Sequence, residues 1–454
     1  MGVTDTREAD VVVVGAGLSG LAAARALAAA GSDVLVLEAR DRVGGRVDVA
    51  RPREGVTLDL GGTWAGPGQE RIGALARELG VATIPQHADG ENVVDLDGRL
   101  RRYRGTIPRV GIGALLDLGR MQFGVGRAAR RVSSQAPWEA RGAAKLDART
   151  LEDWLRARRH GRRARTLLAI AGRTIWGAEP RELSLLYTLQ YVSGAGGLDA
   201  LLDTDGGAQH ERFEGGAHEI AARMAAALGP RIVLGAAVDR IAADADGVAV
   251  HAAGVAARAA AVVVALPPPL CAGITFDPEP PPARRALQER MRMGALTKCF
   301  AIYDEPFWRA DGLTGEALSD RAPAGLTFDV SPPDGSCGVL VGFVGGDDAR
   351  AHAARGERDG RAAVLEGLAR VYGPRALTPD DWAERPWAAE RWSGGGPVAI
   401  APPGALMAGG PALRAPCGRV LWAGTETAER WGGYIEGAVV AGERAAAQAL
   451  ALAG

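Results

Sequence analysis

The chain has little cysteine: four in 454 residues, at Cys271, Cys299, Cys337 and Cys417. They form no C-x-x-C pair and no closely spaced framework. That excludes a disulfide-stapled scaffold and a structural zinc site, and fits reduced thiols in a cytosol. The six histidines show no ligand spacing either; His218-Glu219 lacks the second histidine of a zinc helix, so no metal is expected. Charge of one sign is not in excess. The net charge is −1, so no whole-chain field draws nucleic acid or a membrane. Arginines do cluster at Arg156, Arg158, Arg159, Arg162, Arg163 and Arg165, which reads as a solvated helix face. No apolar run reaches the roughly 20 residues that span a bilayer, and Met1–Ala9 is too short and polar for a signal peptide. No internal repeat or low-complexity tail is present. These absences predict a cytoplasmic chain of two or three domains with ample core.

What is present is concentrated first in Asp10–Arg46, DVVVVGAGLSGLAAARALAAAGSDVLVLEARDRVGGR. Val11–Val14 is too uniformly apolar to alternate, as suits a parallel strand buried on both faces. Gly15, Gly17 and Gly20 follow at G-x-G-x-x-G spacing: a tight turn, a close backbone approach to a pyrophosphate, and close helix packing. An Ala-rich helix over Leu21–Ala30, stopped by Gly31, leads to a second apolar strand, Val34–Leu37. Glu38 ends that strand, where a carboxylate accepts hydrogen bonds from a ribose diol and disfavours a 2′-phosphate. The amides near Ser19 would face the pyrophosphate with the positive end of the helix dipole. Arg40 to Arg46, with Gly44-Gly45, supplies a second turn and further anion contacts.

Four stretches together resemble the flavin-containing amine oxidases related to monoamine oxidase: VVVVGAGLSGLAAA, VLEARDRVGGR, LDLGGTWAGPGQERI and WAGTETAERWGGYIEGAVVAGERAA. A fifth, MGALTKCFAIYDEPFWR, matches the segment with the family's active-site lysine. The resemblance implies an α/β fold of the amine-oxidase/glutathione-reductase type: a Rossmann-like FAD-binding domain (1–80, 213–287 and 392–454) and a discontinuous α+β substrate domain (81–212 and 288–391). The chain agrees with this in its pattern. Helices are read at Gln69–Leu79 and Ile220–Leu228, and amphipathic helices from residue 81, with a capping sequence at Thr150. Strands are read at Ile232–Leu234, Val248–Val250 and Ala261–Leu266. The prolines at 267–269 and 278–282 read as domain crossings. Pro333-Asp334-Gly335 reads as the turn of a hairpin between Leu326–Val330 and Val339–Val344.

The same resemblance assigns roles. Lys298 stands at the flavin, bonded through a water to N5, and Tyr434 forms one wall of an aromatic cage for the amine. FAD is held by Gly15, Gly17, Ser19, Gly20, Glu38, Ala39, Arg40, Gly45 and Arg46, by Gly61-Gly62-Thr63-Trp64 and by Val238. Trp387, Trp392, Gly424, Thr425, Glu426, Gly433, Tyr434 and Ile435 complete its site. Tyr191, Gln209, Pro397 and Tyr434 line the substrate pocket. Two departures matter. Gly396 replaces the cysteine that tethers the flavin in mitochondrial members, and Pro397 replaces the cage's second tyrosine, a pattern similar to bacterial cycloalkylamine oxidases. The expectation is non-covalent FAD and oxidation of a primary cycloalkyl or aralkyl amine by hydride transfer to N5. Imine hydrolysis and reoxidation by O2 to hydrogen peroxide would follow. No nucleic acid or membrane partner is expected, and a homodimer stays open. Two other readings share the FAD motifs: a biosynthetic desaturase, and an L-amino-acid oxidase, whose carboxylate would need an arginine such as Arg173. An interaction protein with an empty nucleotide site is disfavoured by the intact glycines, Glu38 and Lys298.

Overall fold

Val11–Val14 and Val34–Leu37 are buried along their length and pair in parallel, Val11 opposite Val34. In the computed structural model, which describes residues 5–453, they are the centre of a five-stranded parallel sheet. Its order is Ile232–Val233, Val34–Leu37, Val11–Val14, Ala261–Val264, Val420–Trp422. Both faces are covered, which is why these strands do not alternate. On one face lie helices Leu18–Ala29 and Ile435–Ala453, through Leu21, Leu27 and Val439. On the other, Ile241, Val250 and Ala257 of a second five-stranded sheet pack against Val12 and Leu37. The two helices approach closely because Gly442 has no side chain; a Cβ there would lie 2.1 Å from Ser19 O.

The second large unit is a seven-stranded sheet. Its order is Asp381–Pro386, Leu296–Tyr303, Gly338–Gly345, Leu326–Asp329, Leu313–Ser319, Glu91–Leu96, Arg99–Tyr103. The expected hairpin forms, with Leu326 opposite Phe343. Leu296–Tyr303 is buried at every residue and sits inside this sheet. Helices Ile112–Ala129, Leu151–Ala157, Arg162–Trp176 and Leu185–Gly194 build a separate core around Trp154, Leu168, Trp176 and Val192. Thr150 caps Leu151–Ala157 in a reciprocal capping box with Asp153. Each large sheet gathers its strands from stretches far apart in the chain.

Several elements differ from the sequence reading. The first helix starts at Leu18, with Gly17 at its N-cap, rather than at Leu21. After residue 81 the chain makes strands Thr83–Pro85, Glu91–Leu96 and Arg99–Tyr103 before any helix. The middle one is masked by Asp95, which is fully buried yet takes both Arg370 and Ser319. Pro268–Cys271 is a helical turn, and Pro282 opens the helix Pro282–Arg290. Within the arginine cluster, Arg156 pairs with Glu152 and Arg162 and Arg163 with Asp97, largely in solvent. Among the described residues no helix is long and apolar enough to cross a membrane.

Candidate active site

The site grows from the turn after Val14. Gly15 takes φ +98°, and a Cβ on Gly20 would fall 1.9 Å from Gly15 O, so the helix can begin against the strand only with glycine there. Glu38 closes the turn from the neighbouring strand, its two oxygens accepting from Ala16 N at 2.6 Å and Arg40 N at 3.0 Å. Ser19 Oγ accepts from Gly424 N at 2.9 Å, which ties the first helix to the C-terminal segment. Gly17 and Gly44 bridge in parallel, and a Cβ on Gly45 would lie 3.0 Å from Gly17 Cα. Side chains at these glycines would close the cradle.

From the cradle a cavity of about 580 Å³ runs between the two sheets. Gly15, Gly17, Ser19, Glu38, Ala39, Arg40, Gly45 and Arg46 line one end. Gly61, Gly62, Thr63, Trp64, Val238, Trp387, Trp392, Pro397, Gly424, Thr425, Gly433 and Ile435 follow. Lys298, Tyr434, Tyr191 and Gln209 line it as well. Trp387 donates from Nε1 to Leu60 O at 2.8 Å and lies against Gly61, where a Cβ would meet its ring at 3.0 Å.

Lys298 is 2% exposed, on the third residue of its strand. Its Nζ donates to Asp59 O at 2.6 Å, Thr63 Oγ1 at 2.7 Å and Gly61 O at 3.1 Å. Those acceptors take all three ammonium protons, so a bridging water must compete with the longest of them. Trp64, Phe300 and Phe343 box the same nitrogen, each ring centroid 5.3 Å away. Burial lowers its pKa below the ordinary lysine value, an effect that the buried Asp59 carboxylate partly opposes. Asp59 is pushed up by the same burial, against the pull of Lys298 and the Ala217 amide. At the far wall Tyr434 packs against Trp431 and Tyr191, with centroids 5.1 and 6.1 Å apart. Burial holds both phenols neutral. Gln209 donates to Leu201 O at 3.5 Å, while its Oε1 is buried and without a partner.

A family model described as flavin containing amine oxidoreductase matches residues 18–450. The chain belongs to that family. The putative flavin-containing monoamine oxidase AofH of Mycobacterium tuberculosis is 47% identical over 443 residues, 98% of this chain and 97% of its own. Cyclohexylamine oxidase from Brevibacterium oxydans superposes with a TM-score of 0.94 at 35% identity, over 98% of each chain. Putrescine oxidase bound to putrescine gives 0.95 at 31% identity, over 98% of this chain and all of the other.

In this flavin-containing amine oxidoreductase the cradle of glycines, the Glu38 clamp and the unpartnered Gln209 Oε1 fit an FAD and a ligand beside it. Two of the sequence-derived residues do not line the cavity. Gly20 is used for packing, as above. Glu426 is turned away, 1% exposed at its side chain, and grips Arg46 through both oxygens, at 2.6 and 3.0 Å. Arg173 is elsewhere too: it pairs with Glu179 and Asp348, so it is no carboxylate anchor for an amino acid. The sequence reading missed Ile175, Leu296, Phe328 and Phe343 of the cavity wall. Phe343 had a signal, since the expected hairpin puts it on a strand, but only the register opposite Lys298 reveals its role. Lys298 had another: it is one of two lysines in an arginine-rich chain, the other being Lys145. Cys299, His352 and Glu384 also meet, with ligand atoms within 4.8 Å of one another, a grouping that no spacing announced. His352 Nε2 lies 3.3 Å from Glu384 Oε2.

Proposed function

We propose that this protein oxidises a primary cycloalkyl or aralkyl amine with FAD held non-covalently. The observation that carries the reading is the character of the cavity's inner end. Around Lys298 and Tyr434 the lining is Ile175, Leu296, Phe328, Phe343, Trp64 and Tyr191; apart from Lys298, the charged lining residues are Glu38, Arg40 and Arg46 of the cradle and Arg391 next to Trp392. The chemistry that FAD supplies when bound is acceptance of a hydride from the amine α-carbon and delivery of its electrons to oxygen. The chain's own part is binding, orientation and charge. The amides at the start of the helix Leu18–Ala29 would face a pyrophosphate, Glu38 would take the ribose, and Lys298, when protonated, would set a cation against developing negative charge. Tyr434 and Tyr191 shape the slot for the amine, and Gln209 Oε1 offers an acceptor to its N–H.

A peroxide-coupled screen across primary alkyl, cycloalkyl, aryl, polyamine and amino-acid substrates tests this. Cycloalkyl or aralkyl amines should turn over best. Putrescine brings a second ammonium that meets no acid here, and an amino acid brings a carboxylate that meets no arginine. Either class as best substrate would overturn the assignment.

The apolar slot makes charge decisive. An unpaired ammonium would cost several kcal/mol in effective desolvation, so the neutral amine binds. Alkyl amines have a pKa of about 10, so flavin reduction at subsaturating amine should accelerate from about pH 7 to about pH 9. A flat profile with chemistry rate-limiting would mean that a carboxylate pairs the ammonium.

Attachment is tested separately. Gly396 offers no side chain, and none of the four cysteines lines the cavity. Acid precipitation should leave intact FAD in the supernatant and a polypeptide with the mass of the bare chain. A pellet that stays yellow, with its mass raised by one flavin, would establish a covalent link.

A further inference from the structure

Among the described residues, five of the ten large apolar side chains that stand exposed fall within residues 100–123: Leu100, Ile107, Ile112, Leu116 and Phe123. Ile112, Leu116 and Phe123 are 80%, 67% and 65% exposed. Their spacing of four and then seven residues puts them on one outer face of the helix Ile112–Ala129. The inner face of that helix is already satisfied, since Met121 and Val125 pack into the core that holds Tyr187 and Tyr191. The outer ridge therefore adds nothing to the fold. Single exposed apolar residues are ordinary, but a contiguous ridge marks an interaction surface.

The charge around the ridge is as one-sided as its exposure. Residues 99–131 hold nine arginines and one acid, Asp117, in a chain of net charge −1. Asp117 is buried and is taken by His160 and Gly161 N. Among the described residues only Arg120 of the nine forms an ion pair, with Asp117 at 3.6 Å. Arg104, Arg109, Arg127, Arg130 and Arg131 are exposed within the same stretch, and Arg102, also exposed, donates to Asp311 O at 3.0 Å.

We propose that the helix Ile112–Ala129 and the loop before it dock this protein on an anionic lipid surface, lying in the interface without spanning it. Aliphatic and aromatic side chains enter the acyl boundary while arginines beside them meet phosphate headgroups. A second copy of this chain fits the surface poorly, because a face-to-face pair would set arginine against arginine. Nucleic acid would match the arginines but would leave Ile107, Ile112 and Leu116 without an apolar partner. The proposal does not rest on the amine oxidase reading.

The experiment is co-sedimentation of the FAD-loaded protein with vesicles of phosphatidylglycerol and phosphatidylcholine in equal parts, against phosphatidylcholine alone, at low and high salt. Binding to the anionic vesicles, weakened by salt, is expected. The exposed triple variant Ile112→Ser, Leu116→Ser, Phe123→Ser should lower the partition coefficient by at least about tenfold, with the flavin spectrum unchanged. Equal binding to neutral vesicles, no pelleting, or a triple variant that pellets like wild type would each overturn the proposal. So would a stable dimer in light scattering that the triple variant dissolves, or tighter binding to duplex DNA than to the vesicles at the same salt.

Discussion

Lys298→Met is expected to slow flavin reduction, reoxidation or both by at least about tenfold, roughly 1.4 kcal/mol of barrier. The variant keeps most of the side chain's length as an unbranched apolar stem, so it can occupy the box of Trp64, Phe300 and Phe343. It removes the cation and its three donors. Asp59 O, Gly61 O and Thr63 Oγ1 then lose their shared partner, at about 1–3 kcal/mol for each buried group that finds no other. Relief from holding a buried ammonium offsets part of that cost, so the protein should fold and bind FAD with somewhat reduced stability. Stopped-flow traces of reduction and reoxidation, taken on folded and FAD-loaded variant, decide the matter. Rates equal to wild type in both half-reactions would remove Lys298 from the mechanism.

The contrast between Glu38 and Lys298 shows which parts of this site are legible in a sequence. Glu38 lies 21 residues after Gly17, one strand–helix–strand unit away, and local pattern is enough to bring them together. Lys298 depends on a strand that sits between Gly338–Gly345 and Asp381–Pro386, and its acceptors come from residues 59–63 of the other unit. No periodicity encodes that meeting; the family resemblance supplied it. The aromatic box was less legible still, because Phe343 faces Lys298 only in one register between Leu296–Tyr303 and Gly338–Gly345, strands far apart in the chain. Glu426 illustrates a different limit. Its motif marks it as part of the cofactor site, but a motif does not say whether a carboxylate touches the ligand or fixes the residue that does. Asp95 shows a third: a buried acid in mid-strand hides the strand, because its partner Arg370 is 275 residues away.

Arg46→Ala should cost about 3–5 kcal/mol of stability and most of the FAD affinity, because it strands a buried charge. Glu426 accepts from Arg46 at 2.6 and 3.0 Å and from Ala399 N at 3.0 Å, while Arg46 also donates to Pro397 O at 2.9 Å. The pair thus ties the second turn of the cradle to the segment beside Gly396 and Pro397. Burial alone would push the Glu426 carboxyl up; Arg46 and the Ala399 amide hold it below the usual carboxylate range. In wild type, then, its contribution is fully present above the unfolded value of about 4.3 and fades as pH falls through the depressed folded value. Without Arg46 the balance reverses: burial raises the carboxyl, and the variant recovers stability by taking a proton as pH falls. The gap between wild type and Arg46→Ala should therefore narrow from neutral pH toward pH of about 5. Adding Glu426→Gln removes the stranded charge, and the double variant should regain much of the stability at neutral pH while FAD affinity stays low. Thermal unfolding with saturating FAD measures the first quantity, and equilibrium dialysis of FAD the second. A gap that is constant with pH, or a double variant no more stable than Arg46→Ala, would show that Glu426 is not the group that Arg46 compensates.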